Sequence, residues 1–419
     1  MKATSEISNL SEAKLRLLQR YVGGVPLNSA SKTSRFSCPQ SDLKGKEAHS
    51  PRLRELSLDD YPKVAALESQ YGLGFKSFEQ WSHIWLNNPV YHELKKKWTI
   101  GWVLEDDKKE IVGAHENIPL LYEFRGKRII AAQGRGWVLE PRYRGYSLWL
   151  LMSFFEQQEA ELCFDTTAGM EAAKADSELG ALRVPAGTWD RDAFWITNYP
   201  RMLASWMSRK MPERMSFMAR PLAYSLAPAL FLKDWSKNHA LPAVRDGYSI
   251  EYSKGFDDRF DEFWNHLAKQ NPNSLLAMRT RKILEWHFAY ALLQNQLWIL
   301  TMTRNDRLVA YAIFMKTQDV ASGLNQATLV DFQTITDDPT LLLPIVSAAL
   351  ERCRSERVHL LENIGLSFDS SGINQAAPYQ RQMPWWRYFY KTRDKELAES
   401  LKDPRVWSPS LYDGDASIL

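Results

Sequence analysis

Cysteine is scarce. Cys38, Cys163 and Cys353 are the only three in 419 residues. Three thiols with no C-x-x-C spacing exclude a disulfide framework and a zinc ribbon, and they point to a reducing compartment, taken here as the cytoplasm. An excess of charge of one sign is also missing. Fifty-three Lys and Arg stand against 50 Asp and Glu, a net of +3, so no global field draws the chain onto nucleic acid. Long apolar runs are absent: the longest, near Leu148–Phe155 and Tyr224–Leu232, fall well short of the roughly 18 residues that a membrane span needs. The opening MKATSEISNLSEAK has no apolar core of the secretory kind. There is no H-E-x-x-H, EF-hand loop, G-x-G-x-x-G or G-K-[ST], so neither a metal nor a nucleoside triphosphate is expected. What is present is an ordinary globular composition, 45% hydrophobic and 25% charged, long enough for two or three domains. Sixteen Trp are unusually many; Trp fills cores and pockets.

Residues 1–50 read as an appendage. Leu10–Tyr21 forms a short helix capped by Ser11 and stopped by Gly23-Gly24, and Val25–Ser50 is a flexible linker rich in Ser, Lys, Gly and Pro. From Pro51 the order is β-α-α-β-β-β-α-β-α-β. Strands fall at Leu53–Leu58, Trp98–Leu104, Glu110–Phe124, Arg128–Leu139, Cys163–Thr166 and Asp192–Ile196. Helices fall at Asp59–Gln70, Phe78–Leu86, Tyr146–Gln158 and Met170–Leu182. Trp206–Leu241 is apolar and interrupted by Pro, and is expected to be an irregular connection. A similar order then returns, from the strand Tyr248–Ser253 to the strand Val358–Glu362. The expectation is a mixed α+β fold of two tandem domains, 51–204 and 245–419, joined by 205–244.

The junction that carries chemistry is Val138-Leu139-Glu140-Pro141-Arg142-Tyr143-Arg144-Gly145-Tyr146-Ser147. A strand ends at Pro141, and a loop with two arginines and a glycine opens a helix. The first turn of a helix has unpaired N–H groups and a partial positive charge, and Gly145 permits close approach, so the loop suits a pyrophosphate. Arg142 and Arg144 add charge at its rim.

Strand order and loop together resemble the GNAT superfamily of N-acetyltransferases, whose Q/R-x-x-G-x-G/A signature is matched by Arg142-x-x-Gly145-x-Ser147, with Ser in the last place. The resemblance implies that this loop, including Tyr143 and Tyr146, holds the pyrophosphate of coenzyme A. It also implies that Val138, Leu139 and Glu140 lie along the pantetheine arm. Ala172–Gly180 looks like the family's next helix, but Asp176 stands where the family often has a tyrosine acid. In the second half the corresponding junction carries Asp337-Asp338, which would repel a pyrophosphate, so that copy is expected to be degenerate. Tandem copies of this kind occur in myristoyl transferases and peptidoglycan aminoacyl transferases. The lead-in helix resembles those preceding catalytic domains in natural-product assembly lines.

Acyl transfer from a thioester needs an acceptor for the amine's proton and an oxyanion donor. The candidate bases are Glu116, taken first, His115 and Asp165. Alternation puts His115 and Glu116 on opposite faces of one strand. The expected activity is transfer of an acyl group from acyl-CoA or a phosphopantetheine thioester to a small amine or hydroxyl acceptor. An acyl or peptidyl carrier protein is a possible partner, met by Arg201, Arg209, Lys210, Arg214 and Arg220. Decarboxylation of a malonyl-type thioester and a non-catalytic binding module are the two other readings of the same residues.

Overall fold

The computed structural model describes residues 50–418 apart from 75, 95–96, 188, 212, 237–240, 320–321, 337, 366–370, 384–386 and 416. The expected Leu10–Tyr21 helix, its linker up to 49, and Asp337 lie outside the described residues. In chain order the strands are β1 (Arg52–Glu55), β2 (Gly101–Glu105), β3 (Ile111–Phe124), β4 (Lys127–Leu139), β5 (Leu162–Asp165), β6 (Leu182–Arg183), β7 (Arg191–Ile196), β8 (Tyr248–Ser253), β9 (Leu276–Ala277), β10 (Leu297–Arg304), β11 (Arg307–Asp319), β12 (Leu324–Thr334), β13 (Leu360–Ile364), β14 (Tyr379–Gln382) and β15 (Phe389–Thr392). The longer helices are α1 (Tyr61–Gln70), α2 (Phe78–Leu86), α3 (Ser147–Glu156), α4 (Met170–Glu178), α5 (Tyr199–Lys210), α6 (Ala219–Ser236), α7 (Asp258–Gln270) and α8 (Leu342–Ser355). They flank two mostly antiparallel sheets, the mixed α/β class expected from the sequence. One sheet runs β1-β2-β3-β4-β5-β15-β6 with β9 on β3, and the other β14-β7-β13-β12-β11-β10-β8.

Local chemistry accounts for most of these elements. Arg125 and Gly126 both take positive φ, 54° and 71°, and so do Asn305 and Asp306, 51° and 61°. That is the two-residue turn whose twist suits a hairpin. Each sheet holds one parallel pair. Ala131–Gln133 of β4 lie beside Leu162–Phe164 of β5, and Gln326–Leu329 of β12 beside Leu360–Asn363 of β13. A parallel pair needs a crossover. Both crossovers open with a Pro-led 3-10 turn, Pro141–Tyr146 or Pro339–Leu341, and continue as an apolar helix, α3 or α8.

Two expectations need correction. Residues Trp206–Leu241 are largely helical, forming α5's last turn and α6 rather than an irregular connection. Pro221 falls in the first turn of α6, where a missing N–H costs nothing, so it does not break the helix. The strand at Asp192–Ile196 exists as β7, but it pairs with β13 and β14 in the second sheet. Conversely β15, from the far end of the chain, pairs with β5 and β6 in the first. Periodicity marks a strand; it does not name the strand's partner.

By packing, the described residues fall into two compact units, one within 1–82, 96–118 and 134–158, the other within 83–95, 119–133 and 159–419. The second unit contains a fully buried ionic network. Arg279 donates through Nε to Asp331 Oδ2 at 2.8 Å and through Nη2 to Oδ1 at 3.0 Å. Asp331 also accepts from the Tyr311 hydroxyl at 3.0 Å, Gln333 at 3.0 Å and Ser410 at 3.0 Å. Burial pushes the Asp331 carboxyl up, but the charge and hydrogen bonds of Arg279, together with the hydrogen bonds from Gln333 and Tyr311, hold it below the usual carboxylate range. Arg279→Met leaves Asp331 buried with no counter-charge and should cost about 3–5 kcal/mol, read as a lowered midpoint in urea unfolding.

Candidate active site

The loop expected from the sequence to hold the donor lies in the first unit. Strand β4 closes on its neighbour when the Glu140 amide donates to Val112 at 2.9 Å, and the Pro-led 3-10 turn follows. A 3-10 turn uses its own amides at i→i+3 spacing. Tyr143 donates to Glu140 at 2.9 Å, and Ser147 donates to Arg144. The open first helical turn expected from the sequence is therefore partly self-satisfied. The two arginines also differ. Arg142 donates to Glu140 Oε2 at 2.7 Å and lies 4.0 Å from Asp106, so its charge is already matched. Arg144 is exposed and makes no ion pair among the described residues. Arg144 is thus the loop's uncompensated charge, and it suits a phosphate. Val138 is buried, and Leu139 leans over Gly113, where a Cβ would come within 2.1 Å of it.

The same unit shows which way β3 faces. Glu116 is 0% exposed and accepts hydrogen bonds from Trp81 Nε1 of α2 and from Arg135 Nη1 of β4. Glu68 of α1 lies 3.9 Å from the same guanidinium. Burial raises the Glu68 carboxyl, with Arg135 and Lys76 pulling the other way. One cation therefore stands between two buried carboxylates. Gly136 makes room for them. Its φ is +64°, and a Cβ there would lie 2.6 Å from Glu68 Oε1 and 3.4 Å from Glu116 Oε2. His115 points to the other face, its ring 4.9 Å from Phe154 of α3. Burial pushes it down to about 3, which keeps it neutral at physiological pH. A base committed to a charge-assisted bond must give up about 1.5–3 kcal/mol to act, and this arrangement commits Glu116 to Arg135 and Trp81.

Asp165 lies in the second unit at the end of β5, half-buried, with Oδ1 accepting from the Thr167 amide at 3.3 Å. Asp176 of α4 is 0% exposed, and among the described residues its carboxyl has one hydrogen-bond partner, the Asp165 carboxyl, to which it donates. Burial raises both carboxyls; the charge of Asp415 adds to it for Asp165, whose hydrogen bond with Asp176 pulls the other way, while the charge and hydrogen bond of Asp165 both add to it for Asp176. Two carboxyls so placed share a proton. Asp415 also accepts from Gln133 and Thr166, each at 3.4 Å.

No family model and no curated protein matches the sequence. Solved structures do match. The chain is similar in fold to yeast N-myristoyltransferase. The Saccharomyces cerevisiae enzyme with bound myristoyl-CoA superposes with a TM-score of 0.52 over 87% of this chain and 89% of its own, at 11% identity. A conserved Enterococcus faecalis protein described as a probable N-acyltransferase gives 0.50 over 82% and 72%, at 10% identity. A GCN5-related N-acetyltransferase from Anabaena variabilis gives 0.47 over 82% and 73%, at 11% identity. At such identities the first two likenesses establish the fold.

Sequence reasoning singled out Asp176 without giving it a role, and it missed Arg135, Trp81, Glu68 and Asp415. Arg135 carried a readable signal, a cation between Gly134 and Gly136 inside a strand. The Asp165–Asp176 pair generates a pH dependence. Their folded pKa values lie above the usual aspartate value near ~4, so above that pH the folded chain keeps protons that the unfolded chain has released. The pair's contribution is full at acid pH and is lost as pH rises toward the raised values. Asp176→Asn removes this loss. Relative to wild type, the variant's melting temperature should rise steadily from pH 5 to pH 8, by about 1.4 kcal/mol of stability for each unit of upward shift abolished.

Proposed function

We propose that the protein is an acyltransferase that takes an acyl group from coenzyme A or a carrier-protein thioester. It passes the group to a small amine or hydroxyl in the assembly of a secondary metabolite. The observation that carries this reading is the junction of β4, the Pro-led turn and α3, with Arg144 unpaired at its rim, set in a fold shared with a myristoyl-CoA-binding enzyme. In this reading Arg144, Gly145 and their neighbours from Arg142 to Ser147 receive the donor's pyrophosphate, and Val138–Glu140 flank its pantetheine arm. The acceptor's lone pair attacks the thioester carbonyl, the C–S bond breaks, and the thiolate leaves. The acceptor's proton passes to solvent. Within the unit that holds the loop, neither side chain expected as base is placed to take it: Glu116 is tied to Arg135 and His115 is held far below neutrality.

The second half supports a single donor site. At its matching turn, Asp338 accepts from the Thr340 amide at 3.0 Å and pairs with Arg245 at 2.5 Å. A carboxylate of the chain's own stands where an anion would bind, and its pairing lowers its pKa.

Incubation with a panel of acyl-CoAs tests the proposal. Thiol release that requires an acceptor supports it; carbon dioxide release from malonyl-CoA without one marks the decarboxylase, and binding without turnover marks the module. By calorimetry one coenzyme A should bind per chain, and a stoichiometry of two would reject the degenerate second copy. Arg144→Ala should weaken that binding about tenfold or more, the worth of a charge-assisted phosphate contact. Arg142→Ala should matter less, because Glu140 already matches its charge.

A further inference from the structure

The helices α5 and α6 form a hairpin in the second unit whose polarity is reversed. The stripe of α6 that is buried consists of Ala219, Ala223 and Ala227, at 0%, 0% and 3% exposure. Its large side chains point outward: Tyr224, Leu226, Phe231 and Leu232 are each at least half exposed. Trp206 on α5 and Phe217 in the turn between the helices join them, Phe217 at 76%. Among the described residues, nine of the eighteen exposed large hydrophobic side chains fall between Trp206 and Leu232. A water-facing helix buries its large apolar residues and shows its polar ones. Small residues at the helix–helix contact with large apolar ones outside is the arrangement found in lipid. A patch of this size on a surface marks an interaction site.

Charge narrows the partner. Residues 199–236 contain six Lys and Arg and two acidic residues, Glu213 and Asp234. Asp234 is turned inward, where it accepts from the Tyr199 hydroxyl at 2.7 Å and from Tyr379 of β14 at 2.6 Å. These bonds tie the hairpin's two ends to the second sheet. Arg209 is paired with Asp319. Arg201, Lys210, Arg214 and Arg220 are exposed and make no ion pair among the described residues. Aromatic and aliphatic side chains beside unpaired cations are what an anionic bilayer surface binds: apolar groups enter the headgroup region, and Lys and Arg meet the phosphates. No helix of the described residues is long and apolar enough to cross a membrane, so the mode is adsorption.

We propose that the α5–α6 hairpin docks on an anionic lipid surface, with Trp206, Phe217, Tyr224, Leu226, Phe231 and Leu232 inserted among the headgroups and Arg201, Lys210, Arg214 and Arg220 facing lipid phosphates. The inference stands apart from acyl transfer and from the donor loop.

Flotation of the full chain with two vesicle types tests it: phosphatidylcholine alone, and phosphatidylcholine mixed with phosphatidylglycerol. Binding to the mixed vesicles should be at least about tenfold tighter and should weaken as salt rises. Phe217→Ser with Tyr224→Ser should reduce it about tenfold or more, and so should Arg214→Glu with Arg220→Glu. Neither pair should change the melting temperature, because all four side chains are exposed. Failure to float with either vesicle would overturn the proposal. So would equal binding to both, or self-association that the serine pair abolishes, which would make a second copy the cover.

Discussion

A charge taken out of water must find its partner inside the protein, and this constraint organises the interior of both units. In the second unit Arg279 and Asp331 are both almost fully buried, and Tyr311, Gln333, Ser410 and Asp413 close around them. The arrangement draws β11, β12 and the C-terminal segment to one point. In the first unit Arg135 does the same for β3, β4 and the two preceding helices through Glu116 and Glu68. The backbone adjusts to the charges. Gly136 adopts a conformation that L side chains rarely take, because two carboxylate oxygens occupy the space a side chain would need. Breaking such a network is costly chiefly because the surviving charge is left without water or partner.

The Asp165–Asp176 pair is the exception, since like groups face each other and, among the described residues, no cation pairs with either. Only a retained proton reconciles two carboxyls with that setting. A native chain tolerates such a conflict mainly where function rewards it. The contrast with Glu116 is instructive. Both residues are acids on strands, yet Glu116 is paired with an arginine and a tryptophan, whereas Asp165 meets a second carboxyl.

A second reversal occurs in the α5–α6 hairpin, where alanines are inside and aromatic side chains outside. Its position is held by Asp234 and two tyrosines, so the exposed apolar face belongs to an ordered element rather than a frayed one. In both places the usual preferences of a soluble protein are inverted locally while the rest of the fold obeys them.

The element order was legible in the sequence because it depends on local pattern. Alternation marked β3 and β4, the Arg125-Gly126 and Asn305-Asp306 pairs marked hairpin turns, and Pro141 followed by Arg142–Gly145 marked the strand–loop–helix junction. The N-terminal helix and Asp337, also read from pattern, lie outside the described residues. The hairpin was misread because its Pro-interrupted apolar run lacks the two-sided periodicity that signals a helix. Tertiary structure alone decided the rest, because each remaining feature is a meeting of residues far apart in the chain. Such are the crossing of β7 and β15 into each other's expected sheet, the pairing of Glu116 with Arg135 rather than solvent, and the neutralisation of Arg142 but not Arg144. By itself the sequence determined where strands, turns and the Pro-led turn before α3 lie, since backbone preference is local. Which carboxyl keeps its proton and which arginine keeps its charge free depends on burial and on the nearest opposite charge, and both come into being only when the chain has folded.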